Sequence, residues 1–378
     1  MKRVLILGGG FGGIATARRL KQKLADDVEV IMVDRRDYFM VGFRKSWALV
    51  GESPLEAGQK PLESLSRIGV RVKRATIEAI QPNEKLAVVD GERIQADALV
   101  VALGAELNTS AVPGFPEHAF NAYDPNDVPR AAKALDDFHG GRIVIGIFGA
   151  PYKCPPAPYE LAFLIRDKLT ARGVKASIDV FSPQPMSLPT LGKAGSDLLE
   201  RRLADNGIGF FANRKATAIE AGAVIFGEER MPFDLLLGVP PHRPPAVVRE
   251  SGLVGESGWV DVNKRTLETS FADVYAIGDV TQIMLANGKP LPKAGLFAEQ
   301  MGETVAERIA SGFVNEEPTA TFKGEGGCFL EVGGGKAMMI QGSFLQEPEP
   351  LTKLTDATTD YMEEKRSFET QRLREWFG

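Results

Sequence analysis

Cys154 stands in the run Gly149-Ala-Pro-Tyr-Lys-Cys154-Pro-Pro-Ala-Pro-Tyr-Glu160, after an apolar stretch, Arg142–Phe148, and before a segment of helical spacing. A thiol at a strand-to-helix turn has nucleophilic or redox chemistry open to it. The helix N-terminus and the adjacent Lys153 both favour the thiolate, which is the reactive form. Pro155 biases Cys154 towards extended backbone, and Pro158 suits the first turn of a helix expected over Tyr159–Thr170. In a doubly wound domain this turn ordinarily carries spaced glycines around a pyrophosphate; here a cysteine and four prolines take their place. The chain has one other cysteine, Cys328, behind Gly326 and Gly327. Buried cysteines are commonly inert, so a reactive reading needs a redox group beside them.

The start of the chain supplies a place for one. Lys2–Leu7 reads as a buried parallel strand, followed by Gly8-Gly-Gly10-Phe-Gly-Gly13, a helical pattern over Ile14–Leu24 and a second strand, Val28–Val33, ending at Asp34. Gly8 serves a tight turn, Gly10 admits a pyrophosphate to the backbone, and Gly13 packs helix against strand. The helix N-terminus offers free N–H groups to the phosphates. Asp34 follows at the roughly 20-residue distance where a carboxylate accepts hydrogen bonds from an adenosine ribose. The same carboxylate would repel a 2′-phosphate, which disfavours NADP.

Further along, Tyr38–Glu63 carries Tyr38, Phe39, Phe43, Arg44, Lys45 and Trp47 and reads equally as a cover over the nucleotide or as a packed loop with a short helix. Val70–Ile80, Lys85–Val89 and Arg93–Ile94 alternate as antiparallel strands, and Ala96–Gly104 is a buried strand with a small-residue exit. A second βαβ unit begins at Arg142 and repeats the layout through Lys175–Phe181, a helix over Ala194–Asn206, Gly209–Ala212, strand-like Thr217–Glu220 and Ala223–Phe226, and Phe233–His242. Val274–Val280 delivers Gly278-Asp279 at a strand end, suited to a polar chain or to a plain turn. Lys293 precedes a helix over Phe297–Ser311. Gly324–Val332 and Lys336–Ile340 read as a hairpin with Cys328 on its first strand. Thr355–Phe377 is an amphipathic helix whose Tyr361, Phe368, Leu373, Trp376 and Phe377 either pack on the protein or touch a membrane surface. The expected class is α/β, with two Rossmann-like dinucleotide-binding domains: a discontinuous one at 1–111 and 246–315, a second at 112–245, and a C-terminal hairpin and helix at 316–378.

Bulk properties remove other classes. A net charge of −5 without a Lys/Arg cluster leaves no nucleic-acid footprint. His118, His139 and His242 are dispersed and give no metal-ligand spacing. Two cysteines cannot staple a chain of 378 residues. No apolar run approaches the ~20 residues that span a bilayer, and the apolar run near the start, Val4–Leu7, is short for a signal peptide. The expected location is cytoplasmic.

Gly8–Gly13 with Asp34, Leu99–Gly104, Val274–Val280 and Pro292-Lys-Ala-Gly295 together resemble the two-dinucleotide-fold flavoproteins of the disulfide-reductase type. Cys154-Pro-Pro-Ala-Pro-Tyr-Glu160, Val239-Pro-Pro-His-Arg243 and Gly327-Cys328-Phe are similar, within that group, to the sulfide:quinone oxidoreductase and flavocytochrome c sulfide dehydrogenase family. The resemblance covers nearly the whole chain. It implies FAD held by Gly8, Gly10, Phe11, Gly12, Gly13, Asp34, Arg35, Ala75, Ala102, Leu103, Gly104, Gly278, Asp279 and Lys293. The attachment would be noncovalent, because Asp37–Val41 holds no cysteine where the flavocytochrome subunit links its flavin. It implies a Cys154–Cys328 redox pair that oxidises sulfide, Lys293 stabilising negative charge at the flavin edge, and Glu160 managing protons near the sulfur. Quinone, or a cytochrome c in its place, would take the electrons. The third cysteine common in the family's quinone reductases is absent, which departs from their polysulfide-building cycle. The reading admits a homodimer and peripheral contact with the inner face of a membrane. Two rivals remain: an NAD(P)H-dependent quinone reductase, which needs a second glycine fingerprint that Gly146-Ile-Phe-Gly149 does not supply, and a redox sensor, for which no partner motif stands out.

Overall fold

The computed structural model describes residues 1–378. Val4, Leu5, Ile6 and Leu7 are consecutive and fully buried, as in a parallel strand covered on both faces. Strand Lys2–Leu7 is the centre of a five-stranded parallel sheet in the order Val274–Ala276, Ala98–Val101, Lys2–Leu7, Val28–Asp34, Val70–Arg74. A second parallel sheet repeats the plan around Gly141–Ile147, in the order Phe120–Asn121, Leu235–Val239, Gly141–Ile147, Ala176–Phe181, Ile208–Phe211. Each central strand runs into a helix, Phe11–Leu24 in the first unit and Ala157–Ala171 in the second. The chain is α/β with two Rossmann-like units, as its sequence pattern implies.

One alternating stretch is divided differently from its pattern. Val70–Arg74 lies parallel to Val28–Asp34, with Val70 opposite Val30, and only Ile77–Gln81 joins Leu86–Val89 and Glu92–Gln95 in an antiparallel meander. The alternation of Val70–Arg74 is that of an edge strand, which exposes Arg71 and Arg74 although its sheet is parallel. A matching meander, Ala218–Glu220, Ala223–Phe226 and Glu229–Pro232, belongs to the second unit. Tyr38–Glu63 folds as packed structure: helix Arg44–Val50 buries Trp47, Leu49 and Val50.

The C-terminal region holds one strand more than expected. Glu325–Glu331 and Ala337–Ser343 pair with Cys328 opposite Ile340, and Leu351–Leu354 adds a third, edge strand beyond Pro348 and Pro350. Its half-exposed, proline-flanked sequence carries little strand signal. The last helix, Thr359–Phe377, starts later than expected. Thr358 bridges to Ala337 in extended conformation and then caps the helix, its side chain accepting from the Tyr361 N–H. The aromatic end of the helix packs inward. Trp376 lies edge-on to Phe11 at 5.6 Å and tilted over Phe39 at 5.2 Å, and Phe377 stacks on Phe39 at 5.8 Å. No helix is long and apolar enough to cross a membrane.

The first unit depends on a close helix crossing. Helix Gly295–Phe313 approaches Phe11–Leu24 until a Cβ on Gly302 would collide with the Gly12 carbonyl and lie 2.9 Å from Thr16 Oγ1. Thr16 Oγ1 itself donates to Gly12 O at 2.8 Å. Gly302→Ala is therefore expected to destabilise the protein by about 1–3 kcal/mol through overpacking. Gly312→Ala on the same helix meets nothing within 4 Å and should be neutral or stabilising by up to about 1 kcal/mol. Thermal melts of the two variants check this; equal melting shifts would refute the tight crossing.

Candidate functional site

Cys154 does not take the extended backbone that Pro155 favours. Its φ is +51°, a left-handed conformation that costs a non-glycine residue roughly 1–2 kcal/mol. Bonds from distant segments hold it there. The Cys154 N–H donates to Lys293 O at 2.7 Å, and its carbonyl accepts from Ala157 N–H and from the Tyr123 hydroxyl, each at 3.0 Å. The helix beyond begins at Ala157, two residues earlier than expected, with Pro158 in its first turn. Nor is the thiolate favoured. Burial pushes the Cys154 thiol up to about 11, the Glu160 carboxylate adds to the rise, and Lys365 and Lys45 oppose it. The helix dipole and Lys153 do not reverse that balance. Burial also pushes Cys328 up, with Cys154 the next contributor, so the two thiols lie within electrostatic reach. Both are free thiols.

Helix Ala157–Ala171 is fixed to the Cys328 strand through Glu160. Glu160 Oε2 accepts from the Glu331 main-chain N–H at 3.0 Å and from Lys365 Nζ at 2.7 Å, and Lys365 also donates to Glu331 Oε1 at 2.6 Å. All three side chains are buried, Lys365 to 1% exposure. Burial and Glu331 raise Glu160, with Lys365 opposing; the two carboxylates in turn overcome burial and hold Lys365 above the usual lysine range. Trp47 Nε1 donates to Glu331 Oε1 at 2.6 Å, and a buried Arg44–Glu369 pair continues the network.

The glycine loop fits a dinucleotide. Gly8 has φ +112°, and a Cβ there would strike the Ala102 carbonyl. A Cβ on Gly13 would strike Gly8 O, whereas nothing lies within 4 Å of one on Gly10, so that backbone faces open space. Asp34 is pinned at its strand end by Gly9 N–H at 2.7 Å and Arg36 N–H at 2.8 Å, which leaves lone pairs for a ligand hydroxyl. Ala75 N–H donates to the Asp34 carbonyl, Arg35 is exposed, and Ala102, Leu103 and Gly104 line the exit of the neighbouring strand. Gly278 has φ +73°; burial raises the adjacent Asp279 carboxyl, with Lys293 and Lys153 opposing. Lys293 Nζ donates to the carbonyls of Asp279 at 2.7 Å and Thr281 at 2.8 Å and lies 3.5 Å from the Trp259 ring centre. Burial lowers its pKa to about 8. Lys293 thus joins the two halves of the site, its side chain beside Asp279 and its carbonyl on Cys154.

The second strand-to-helix turn is closed where the first is open. Gly149 packs against Pro241, and Phe148 sits edge-on between Phe115 and Phe181, each at 5.2 Å. Where Asp34 ends its strand, Phe181 is followed by Ser182 and Pro183, with no carboxylate. A cleft lined by Tyr152, Pro155, Leu188, Lys293, Cys328 and Phe344 among others reaches Cys328.

Lys365, Glu331 and Tyr123 are not evident as candidate site residues from sequence. For Lys365 there is a signal. Met362, Lys365, Glu369, Leu373 and Trp376 share one buried helix face, and two charges on such a face imply buried partners.

A model of the family described as pyridine nucleotide-disulphide oxidoreductase matches residues 2–302. Mouse mitochondrial sulfide:quinone oxidoreductase is 25% identical over 366 residues, which cover 91% of this chain and 79% of the mouse protein. A type II NADH:quinone oxidoreductase of Staphylococcus saprophyticus is 24% identical over 347 residues, covering 85% of each chain. The solved sulfide:quinone oxidoreductase of Aquifex aeolicus shares the fold at a TM-score of 0.90 and 24% identity, over 100% of this chain and 92% of that one. Two Rossmann-like units and a glycine loop followed by Asp34 agree with that match: the chain belongs to the pyridine nucleotide-disulphide oxidoreductase family.

Proposed function

We propose that this chain oxidises hydrosulfide through a Cys154–Cys328 redox pair, with noncovalent FAD as the electron carrier and a quinone as acceptor. The observation that carries the reading is the placement of the two thiols. The helix beginning beside Cys154 and the strand of Cys328 are tied by the Glu160–Glu331 bond, and Lys293 links Cys154 to Asp279 of the dinucleotide cradle. Attack of hydrosulfide on the Cys154–Cys328 disulfide forms one sulfur–sulfur bond to a cysteine, breaks the bond between the cysteines and leaves the other as thiolate. Transfer of the outer persulfide sulfur to a second hydrosulfide or another small thiolate would leave both cysteines as thiolates, and re-formation of their disulfide releases the two electrons that bound FAD would carry to the quinone. Gly8, Gly10, Gly13 and Asp34 would hold the pyrophosphate and ribose of FAD, Asp279 its ribityl chain, and Lys293 negative charge at its edge. Glu160, sharing the Lys365 ammonium, takes or returns a proton beside Cys154.

A second reading, NAD(P)H oxidation, loses support at the closed second turn, and its NADH form also at the missing ribose carboxylate. For the acceptor, Phe368 is half-buried with Phe11, Phe43 and Phe329 at 6.1–6.4 Å from it, and Arg372 caps its ring at 3.6 Å. A planar quinone ring suits that aromatic group, which adjoins the strand of Cys328.

Anaerobic titration tests the reaction: sulfide should bleach the flavin band, NADH and NADPH should not, and Cys154→Ser should lose the sulfide response. Bleaching by NADH alone would sink the proposal. Phe368→Ala should raise the quinone KM about tenfold and leave the sulfide half-reaction unchanged in stopped flow. Electrostatics around Cys154 carry a third expectation. In the reduced protein its trapping by iodoacetamide should be slow at pH 8 and rise about tenfold per pH unit towards pH 11, because burial holds the proton on. Lys365→Met should slow trapping at fixed pH and Glu160→Gln should speed it. A plateau near pH 8.5 in mass-spectrometric labelling would contradict this account.

A further inference from the structure

The proposed redox chemistry uses Cys154 but does not say why its backbone is left-handed. A residue before proline prefers extended backbone, and strained conformations that persist at functional sites are held by their surroundings. Here the holding groups are few. Lys293 O takes the Cys154 N–H at 2.7 Å, Ala157 N–H reaches the Cys154 carbonyl at 3.0 Å, and the hydroxyl of Tyr123 supplies the only side-chain bond, also at 3.0 Å. Tyr123 is built for that contact. It follows the edge strand Phe120–Asn121, its N–H bonds to Asn121 Oδ1 at 3.0 Å, and its buried ring stands edge-on to His242 at 5.8 Å. Asn121 N–H is held in turn by Asp127 Oδ2 at 2.6 Å. The neighbouring Tyr152 hydroxyl bonds to Pro155 O at 3.1 Å and leaves Cys154 alone.

We propose that Tyr123 is a positioning residue for the redox pair: its hydroxyl keeps Cys154 in the left-handed conformation that aims the thiol at Cys328. This rests on the redox reading above. A disulfide forms only within a narrow range of Cα separations and torsions, so a chain that relaxed towards extended backbone would carry the Cys154 sulfur away from its partner. Tyr123 would not touch substrate; it acts through the Cys154 carbonyl.

The test compares flavin-loaded wild type, Y123F and Y152F in glutathione redox buffers without sulfide or quinone. Acid quenching, alkylation and mass spectrometry then read the exchange of protein dithiol and oxidised glutathione for protein disulfide and two glutathione thiols. Y123F keeps its ring and packing, so its melting temperature should stay within a few degrees of wild type. Its equilibrium should move about tenfold towards the dithiol, which is about 30 mV for a two-electron couple, and flavin reduction by sulfide should slow while the quinone KM holds. Y152F should stay within twofold of wild type. Equal equilibria for Y123F and wild type would overturn the positioning role alone. A wild type that forms no Cys154–Cys328 disulfide in any buffer would overturn both the redox reading and this inference.

Discussion

The Lys365 ammonium sits between the carboxylates of Glu160 and Glu331, all three out of contact with solvent. Each belongs to a different element: the helix after Cys154, the strand of Cys328 and the last helix of the chain. Removing one partner of a buried ion pair leaves the other charge uncompensated and typically costs about 3–5 kcal/mol, so the three elements are not free to drift. The helix that follows Cys154 and the strand that carries Cys328 are both anchored on this ammonium. It also draws in Trp47 through Glu331, and the parallel Arg44–Glu369 pair ties the same last helix to Arg44–Val50.

The cost of this arrangement appears at the sulfurs. Burial raises both thiols although each residue keeps some exposure, and the Glu160 carboxylate raises them further. Lys45 and Lys365 are the cations that pull Cys154 back. Burial in turn drags Lys45 down to about 7, with Lys153 adding to the effect. The electrostatics at Cys154 are therefore set by Glu160, Lys365 and Lys45 together.

Much of the fold was legible because it rests on local sterics. The run Val4–Leu7 and the glycines at 8, 10 and 13 behave as their types require, since a Cβ at Gly8 or Gly13 has nowhere to go and one at Gly10 meets nothing. The misread stretches share a cause. Val70–Arg74 alternates like an antiparallel strand because it lies at a sheet edge, and Leu351–Leu354 hides behind its prolines. The conformation of Cys154 could not be read from its neighbours. Pro155 points one way, while Lys293 and Tyr123, both remote in sequence, impose the other. The same holds for the thiols' acidity, where a local argument from helix dipole and Lys153 is outweighed by burial and by the Glu160 carboxylate.

The two sheets share the arrangement of four strands and differ in the fifth, and with it in timing. The second sheet draws all its strands from one continuous stretch between residues 120 and 239. The first takes its fifth strand from Val274–Ala276, beyond the whole of the second. As the chain leaves the ribosome, the second sheet can close from local contacts, while the first waits with Ala98–Val101 as a bare edge, an order imposed by long-range pairing. The unit that begins the sequence is the later one to be completed, and the turn at Gly278 and Asp279 joins it only then.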